Sequence, residues 1–229
     1  MDSYEYSWEL YKAQTENFND DLHFYQEFSG NRTTLDIFSG YGRICNFLSK
    51  KNPFINAVEK NKNFASHIII PKECIYITDI LKFKTEKKYE RIIAGYNSFC
   101  LITEENDIFM LFSILKSLLS INGKISLNYF HPNFWDDSIR QEFSFKGKLV
   151  SYIPEYNFDN KNKDTALWID NYIIGNKKQK FEYKVKIYKD IDSINKYLRK
   201  FNLKIHEVVH NFNNSNSSEL GWQDFIIGH

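Results

Sequence analysis

The chain has 229 residues, 42% of them apolar and 17% aromatic, with 20 Phe and 15 Tyr, so it can fill a sizeable core and still have rings left for a pocket wall or surface. Its formal net charge of +1 excludes a strong field steering it toward nucleic acid or an anionic membrane, and no apolar run approaches the about 18 residues of a membrane helix. The three cysteines, Cys45, Cys74 and Cys100, are scattered and lack C-x-x-C spacing, which argues against a disulfide framework or a zinc site and for a reducing, cytoplasmic setting.

The N-terminus is acidic and aromatic and does not read as a signal peptide. Residues 4–28 are predicted as a helix, with Trp8, Tyr11, Phe18, Leu22 and Tyr25 roughly at helical spacing, ended by Gly30-Asn31. Short apolar runs then alternate with helical stretches. Strands are predicted at 33–38, 54–58, 74–78, 91–94 and 124–130. Between them fall helices at 42–50, 61–70 and 104–121, the last with Thr103 as N-cap, acids in its first turn and Asn122-Gly123 as its stop. Such alternation calls for a parallel sheet covered on both faces. After Pro132, segments 146–153, 165–174 and 180–188 alternate apolar and polar residues and read as antiparallel strands, with Gly175-Asn176 as a turn. Residues 190–201 return to helical periodicity, and 203–209 and 222–227 read as two closing strands joined by a polar loop.

The most informative stretch is Leu35-Asp36-Ile37-Phe38-Ser39-Gly40-Tyr41-Gly42-Arg43, between the first strand and its helix. Glycines there let the backbone pass close to a ligand, and the free amides of the next helix face it. A dinucleotide enzyme places a third glycine three residues after the second; here that residue is Cys45. Asp36 would repel a pyrophosphate and attract a cationic ligand. Glu59, at the end of the second strand, can accept both hydroxyls of an unphosphorylated ribose. Asp79, at the end of the third, can accept from an adenine amino group; a helix cap is its competing role. Ligands of open parallel sheets bind along the edge that these three acids share.

These residues resemble those of the class I S-adenosylmethionine-dependent methyltransferases, over residues 30–132 and the final helix and two strands. The family usually carries a glycine where this chain has Phe38. The resemblance implies an α/β, Rossmann-like seven-stranded mixed sheet in the order 3-2-1-4-5-7-6, with helices on both faces and one antiparallel strand. It divides the chain into a helical cap (1–30), a donor-binding unit (31–132 and 190–229) and an antiparallel insertion after strand five (133–189) acting as substrate lid or dimer surface. The implied cofactor is S-adenosylmethionine, leaving as S-adenosylhomocysteine. It implies donor contacts from Asp36, Phe38, Ser39, Gly40, Tyr41, Gly42 and Arg43, from Glu59 and Lys60, from Thr78, Asp79 and Ile80, and from Gly95 and Asn97. The aromatic N-terminal helix, the Tyr96-Asn97-Ser98-Phe99 segment and an insertion containing Trp168, Asp170 and Tyr172 are closest to the subgroup methylating glycine derivatives and sugars.

Methyl transfer from a sulfonium is an in-line displacement, so its residues belong beyond strands four and five. His131, directly after the fifth strand, is the candidate base, and Tyr96 a second catalytic candidate. Tyr11, Tyr25, Trp168 and Tyr172 are candidates for the acceptor wall, and Tyr4, Tyr6 and Trp8 for closing the site. Packing is the competing role for each. The expected activity is methylation of an oxygen or nitrogen of a small molecule, such as a sugar, sugar nucleotide or amino compound, without metal, membrane or nucleic acid. The alternatives are a methyltransferase acting on RNA or protein, disfavoured by the absence of an Asn/Asp-Pro-Pro-Tyr segment and a basic stripe, and an inactive binding module.

Overall fold

The computed structural model describes residues 3–136, 139–159, 164–213 and 221–229, with side chains for all of these except 3–7 and 213. Two helices open the chain, α1 (Ser3–Thr15) and α2 (Leu22–Ser29). Then come β1 (Thr34–Ile37), α3 (Arg43–Leu48), β2 (Ile55–Glu59), α4 (Lys62–Ala65), β3 (Ile75–Ile77), β4 (Tyr89–Ala94), α5 (Glu105–Leu118) and β5 (Leu119–Phe130). Four strands follow, β6 (Gln141–Phe145), β7 (Lys148–Phe158), β8 (Thr165–Ile174) and β9 (Lys177–Lys186), and the chain closes with α6 (Ile191–Leu198), β10 (Lys204–His210) and β11 (Trp222–Gly228). Among the described residues no helix is long and apolar enough to cross a membrane.

The larger sheet has seven strands in the order β10-β11-β5-β4-β1-β2-β3. Counted without the four intervening strands, this is 3-2-1-4-5-7-6 read from the other edge. The pairs among β1 to β5 are parallel, and β11 is antiparallel to both neighbours. Alternate residues feed two cores. Leu35, Ile37, Ile92, Ile125 and Leu127 pack with Leu111, Phe112 and Leu115 of α5 and Tyr197 and Leu198 of α6. Ile55, Ala57, Ile93 and Ile226 pack with Tyr25 of α2 and Ile44 and Leu48 of α3. Each fully buried Leu, Ile or Phe contributes about 1.5–3 kcal/mol. The second sheet is antiparallel, in the order β6-β7-β8-β9. Leu10 of α1 packs with Phe145, Val150, Tyr152 and Tyr172 and so ties it to the N-terminal helix.

Several predicted elements are corrected. The helix expected over 4–28 is two, broken at 16–21, where Arg43 holds the Phe18 carbonyl and the Asp21 carboxylate. The helix expected over 61–70 stops at Ala65. Its cap, Asn61, accepts from the Asn63 and Phe64 amides, and the β-branched run beyond is irregular, with Ile68 and Ile70 buried and Ile69 out. Helix α5 is capped by Glu104 rather than Thr103 and ends at Leu118. Asn122-Gly123 lies instead in a register shift of β5, where a Cβ on Gly123 would meet Leu119 and the Tyr89 carbonyl. Residues 146–147, expected to begin a strand, are the Lys146-Gly147 turn, at φ 50 and φ 73, joining β7 to the unanticipated β6.

Candidate active site

The parallel topology brings the ends of β1, β2, β3 and β4 to one sheet edge, and with them the glycine turn, Glu59, Asp79 and the Gly95–Asn97 loop. In the turn, Gly40 and Gly42 have φ of 57 and 88. Phe38, where the resembling family has glycine, also has positive φ, 54. The turn therefore keeps a glycine-like path at a cost of about 1–2 kcal/mol for an L-residue. A Cβ on Gly40 would meet nothing within 4 Å, so this side of the loop is open, whereas one on Gly42 would strike the Asn46 amide.

Glu59 fastens this turn. Its Oε2 accepts from the Gly40 amide at 2.8 Å and its Oε1 from the Asn61 amide at 2.7 Å. Each oxygen keeps a further lone pair, so the carboxylate is held in place without being used up. Asp36 lies beneath the turn, 1% exposed, with Oδ2 accepting from the Cys45 amide at 3.2 Å. Burial pushes its carboxyl up to about 7, against the lowering effects of the Cys45 amide and the Arg43 charge. Asp79 caps the turn after β3, its Oδ1 accepting from the Leu81 amide at 2.9 Å. The capping role weighed from the sequence is thus present, and its Oδ2 accepts no hydrogen bond from the described residues.

The loop after β4 carries two consecutive residues at positive φ, Tyr96 (52) and Asn97 (57). Such strain persists only where the surroundings over-determine it. They do so here. The Asn97 amide donates to Asn128 Oδ1 at 3.1 Å, and Asn97 Oδ1 accepts from the Phe130 amide at 3.2 Å. Asn128 in turn donates to Asp224 Oδ2 at 2.9 Å, and Asp224 Oδ1 accepts from Ser126 (2.7 Å) and Tyr25 (3.0 Å). Asp224 is fully buried, and burial pushes its carboxyl up to about 6. The Tyr96 ring stacks on Trp222 at 5.4 Å and meets Tyr11 edge-on at 6.2 Å. Burial raises its phenol to about 12. Tyr11 also contacts Tyr41 and Phe64, and Trp8 contacts Phe64 and His67, so α1 lays an aromatic roof over the glycine turn. The Tyr4 and Tyr6 side chains, expected to join it, lie outside the described residues.

Some candidates sit elsewhere. Arg43 does not face the open side of the turn: its guanidinium makes two bonds to Asp21, at 2.5 and 2.6 Å, and lies over Phe18 and Tyr96. Burial opposes its charge, and the Asp21 pair outweighs that, so its pKa is raised. Gly95 is a packing glycine, because a Cβ there would collide with Ile44. Tyr25 is fully buried, with its hydroxyl on Asp224, and belongs to the interior rather than to an acceptor wall. Ile80 is in the core, and Lys60 points to solvent. Thr78 donates its amide to the Glu59 carbonyl. Ser39 donates its hydroxyl to the Asp36 carbonyl at 2.6 Å, and Tyr41 shares a 3.1 Å hydrogen bond with Thr15. His131 follows β5 as expected; its Nδ1 accepts from the Asn133 amide at 3.2 Å. Tyr172 and Trp168 lie on one face of β8, Tyr172 donating to Gln14 at 2.6 Å and Trp168 to Asp170 at 2.9 Å.

By sequence, no protein family and no curated protein matches the chain. By structure, it is similar to a S-adenosylmethionine-dependent methyltransferase from Clostridium acetobutylicum ATCC 824, with 17% identity, a TM-score of 0.74 and coverage of 99% of this chain and 98% of the other. It is also similar to CalS10, an amino pentose methyltransferase from Micromonospora echinaspora, with 10% identity, a TM-score of 0.76 and coverage of 99% and 97%. A third is the sugar N-methyltransferase KedS8 from Streptoalloteichus sp ATCC 53650, with 12% identity, a TM-score of 0.72 and coverage of 95% and 90%. This chain has the fold of the S-adenosylmethionine-dependent methyltransferases.

Within that methyltransferase fold the residues fit the donor's chemistry. The turn is open over Gly40, Glu59 has lone pairs to spare, and buried Asp36, its carboxyl pushed up to about 7, is a group whose ionised form a ligand with ammonium and sulfonium charges would favour. The sequence reading missed Asp21 and Asp224. Asp224 was detectable as an acid at an inward position of the apolar strand Trp222–Gly228. Asp21 carried no signal, because its partner Arg43 is distant in the chain and was assigned to the ligand.

Proposed function

We propose that the chain binds S-adenosylmethionine along the ends of β1 to β4 and transfers its methyl group to an oxygen or nitrogen of a small molecule, such as a sugar, a sugar nucleotide or an amino compound. The observation that carries this reading is the double tether of Glu59 to the Gly40 and Asn61 amides. It fixes an acid at the end of β2, beside an open glycine turn, where a ribose diol is accepted. Glu59 holds the ribose hydroxyls, Asp79 Oδ2 takes the adenine amino group, and Asp36 lies under the positively charged end. The donor supplies an electrophilic methyl carbon on sulfur.

The chain's own residues align the acceptor and exclude water. The strained Tyr96-Asn97 pair, anchored through Asn128 and Asp224, sets the floor beside the methyl group. Tyr11 closes the site from α1, and Tyr172 and Trp168 form the acceptor wall. Where the acceptor is a hydroxyl, His131 is the base, taking the proton at Nδ1 once that nitrogen is released from the Asn133 amide, because Nε2 carries the hydrogen of the neutral ring. The nature of the acceptor draws support from two structural neighbours named for an amino pentose and a sugar nitrogen. The free thiols of Cys45, Cys74 and Cys100 suit a reducing, cytoplasmic setting, and the second sheet offers its outer face to a second copy.

Isothermal titration with S-adenosylmethionine tests the reading, followed by transfer of labelled methyl groups to a panel of amino sugars and sugar nucleotides. We expect micromolar binding and labelled product. No heat at millimolar donor overturns the proposal.

A further inference from the structure

We propose that Asp170 is the acceptor-recognising residue and that the group it recognises is an amine, bound as its ammonium ion in an aromatic recess of the second sheet. This deepens the function proposed above and rests on it for the transfer step.

The recess follows from strand register. Trp168, Asp170 and Tyr172 are two residues apart on β8 and share one face. Across the ladder, Tyr152 of β7 stands opposite Tyr172, and Tyr183 of β9 opposite Trp168. This face is turned toward α1, where Tyr172 reaches Gln14 and packs in a cluster with Leu10. At one end Tyr172 is 1% exposed, and at the other Tyr183 is 37% exposed, so this face reaches solvent at the Tyr183 end.

Asp170 is 8% exposed and has no Lys, Arg or His within ion-pair distance among the described residues. Its two shortest hydrogen bonds, from Tyr152 (2.8 Å) and Trp168 (2.9 Å), both end on Oδ1, and the Tyr183 hydroxyl adds a weaker one. Of the other buried acids, Asp21 has Arg43, Asp224 has donors on both oxygens and Glu59 has two amides, while Asp36, with the Cys45 amide alone, lies under the glycine turn. Burial pushes the Asp170 carboxyl up, only partly offset by hydrogen bonds from Tyr152, Trp168 and Tyr183. Tyr172, on the same face of β8, reaches Gln14, so the carboxylate lies on the side of the second sheet that α1 covers.

A buried carboxylate without a cation is costly, and a cation entering beside it gains both the ion pair and the faces of the surrounding rings. A neutral hydroxyl gains neither. The recess therefore selects an amine over the matching alcohol. The transfer balances as follows. The bound ammonium gives one proton to the Asp170 carboxylate, which frees the nitrogen lone pair. That pair forms the N–C bond as the C–S pair departs onto sulfur. The product is an N-methylammonium ion, and the proton on Asp170 leaves to solvent.

The test is isothermal titration of the full chain with matched probes, glucosamine against glucose and cyclohexylamine against cyclohexanol, with and without S-adenosylhomocysteine. The indole 15N–1H signal of Trp168, which donates to Asp170, is followed in parallel. In at least one pair the amine should bind more tightly by about tenfold or more and shift the Trp168 signal. Asp170→Asn should abolish this preference and keep S-adenosylhomocysteine affinity within about twofold. Ile121→Ser, at an exposed position at the start of β5, should retain the preference. Equal binding in both pairs, no binding of either amine, or a preference that survives Asp170→Asn overturns the proposal. Should Asp170→Asn fail to fold, the wild-type comparison and its Trp168 signal decide. Failure to bind S-adenosylhomocysteine sinks the donor assignment instead, and the titrations without it still report on the recess.

Discussion

In the seven-stranded sheet every residue of β1 and β2 is buried, whereas β7 of the second sheet buries Val150, Tyr152 and Pro154 and leaves Leu149 and Phe158 at least half exposed. The polar contacts differ in the same way. At the edge of the larger sheet, carboxylates grip backbone amides: Glu59 holds Gly40 and Asn61, Asp36 holds Cys45, and Asp79 holds Leu81. In the second sheet, side chains grip side chains, with Tyr152 and Trp168 on Asp170 and Tyr172 on Gln14. A site made from backbone survives changes of neighbouring residues, as Phe38 in a glycine-like conformation illustrates. A site made from side chains changes with each of them, which suits the acceptor recognition proposed for this sheet.

The contrast is sharpened most by the buried ion pair. Arg43→Ala leaves Asp21 charged and unpaired in the interior, and should lower unfolding free energy by about 3–5 kcal/mol in urea. A loss under about 1 kcal/mol would mean that the joint between α1 and α2 is not held as described. Next is Glu59→Gln. It removes the charge and misaligns the acceptors, and should weaken S-adenosylmethionine binding by about 10- to 100-fold in titration. Tyr172→Phe is the counterpart in the second sheet. It removes the hydroxyl bound to Gln14 and should cost about 1 kcal/mol of stability with donor affinity unchanged. A drop in donor affinity there would erase the division between the two ends.

The smallest effect is a pH dependence. The Asp36 carboxyl is held up to about 7, above its ordinary value of 3.8. Between those values the folded chain binds the extra proton, so this residue's contribution to stability falls as pH rises through that window. A cationic donor prefers the ionised form, so its affinity should tighten by about threefold from about pH 6 to about pH 8. Asp36→Asn should flatten that dependence in titrations across the range.

Strand order and the glycine turn with its neighbouring acids were legible in the sequence because they rest on local patterns: alternating short apolar runs, two glycines after the first strand, and an acid ending the second. Misplaced boundaries came from nonlocal competition. The break before α2 exists because Arg43 takes Phe18 and Asp21, and Asn122-Gly123 became a bulge because β5 approaches the Tyr89 carbonyl. Tyr25 and Gly95 look like ligand contacts by type, and only the fold reveals that Asp224 stands against the Tyr25 hydroxyl and Ile44 against Gly95. The Asp170 recess could not be assembled from residue spacing alone, because it needs the β7–β8–β9 register.

The central claim is that Glu59, tethered to the glycine turn, is the sugar-binding acid of a methyl-donor site. A crystal structure of the chain with S-adenosylhomocysteine tests it most directly. The account predicts the ribose 2′- and 3′-hydroxyls on the two oxygens of Glu59, with the thioether beneath Tyr11 and beside Tyr96. A nucleoside bound away from the ends of β1 and β2, or a Glu59 carboxylate that touches no sugar hydroxyl, would contradict it.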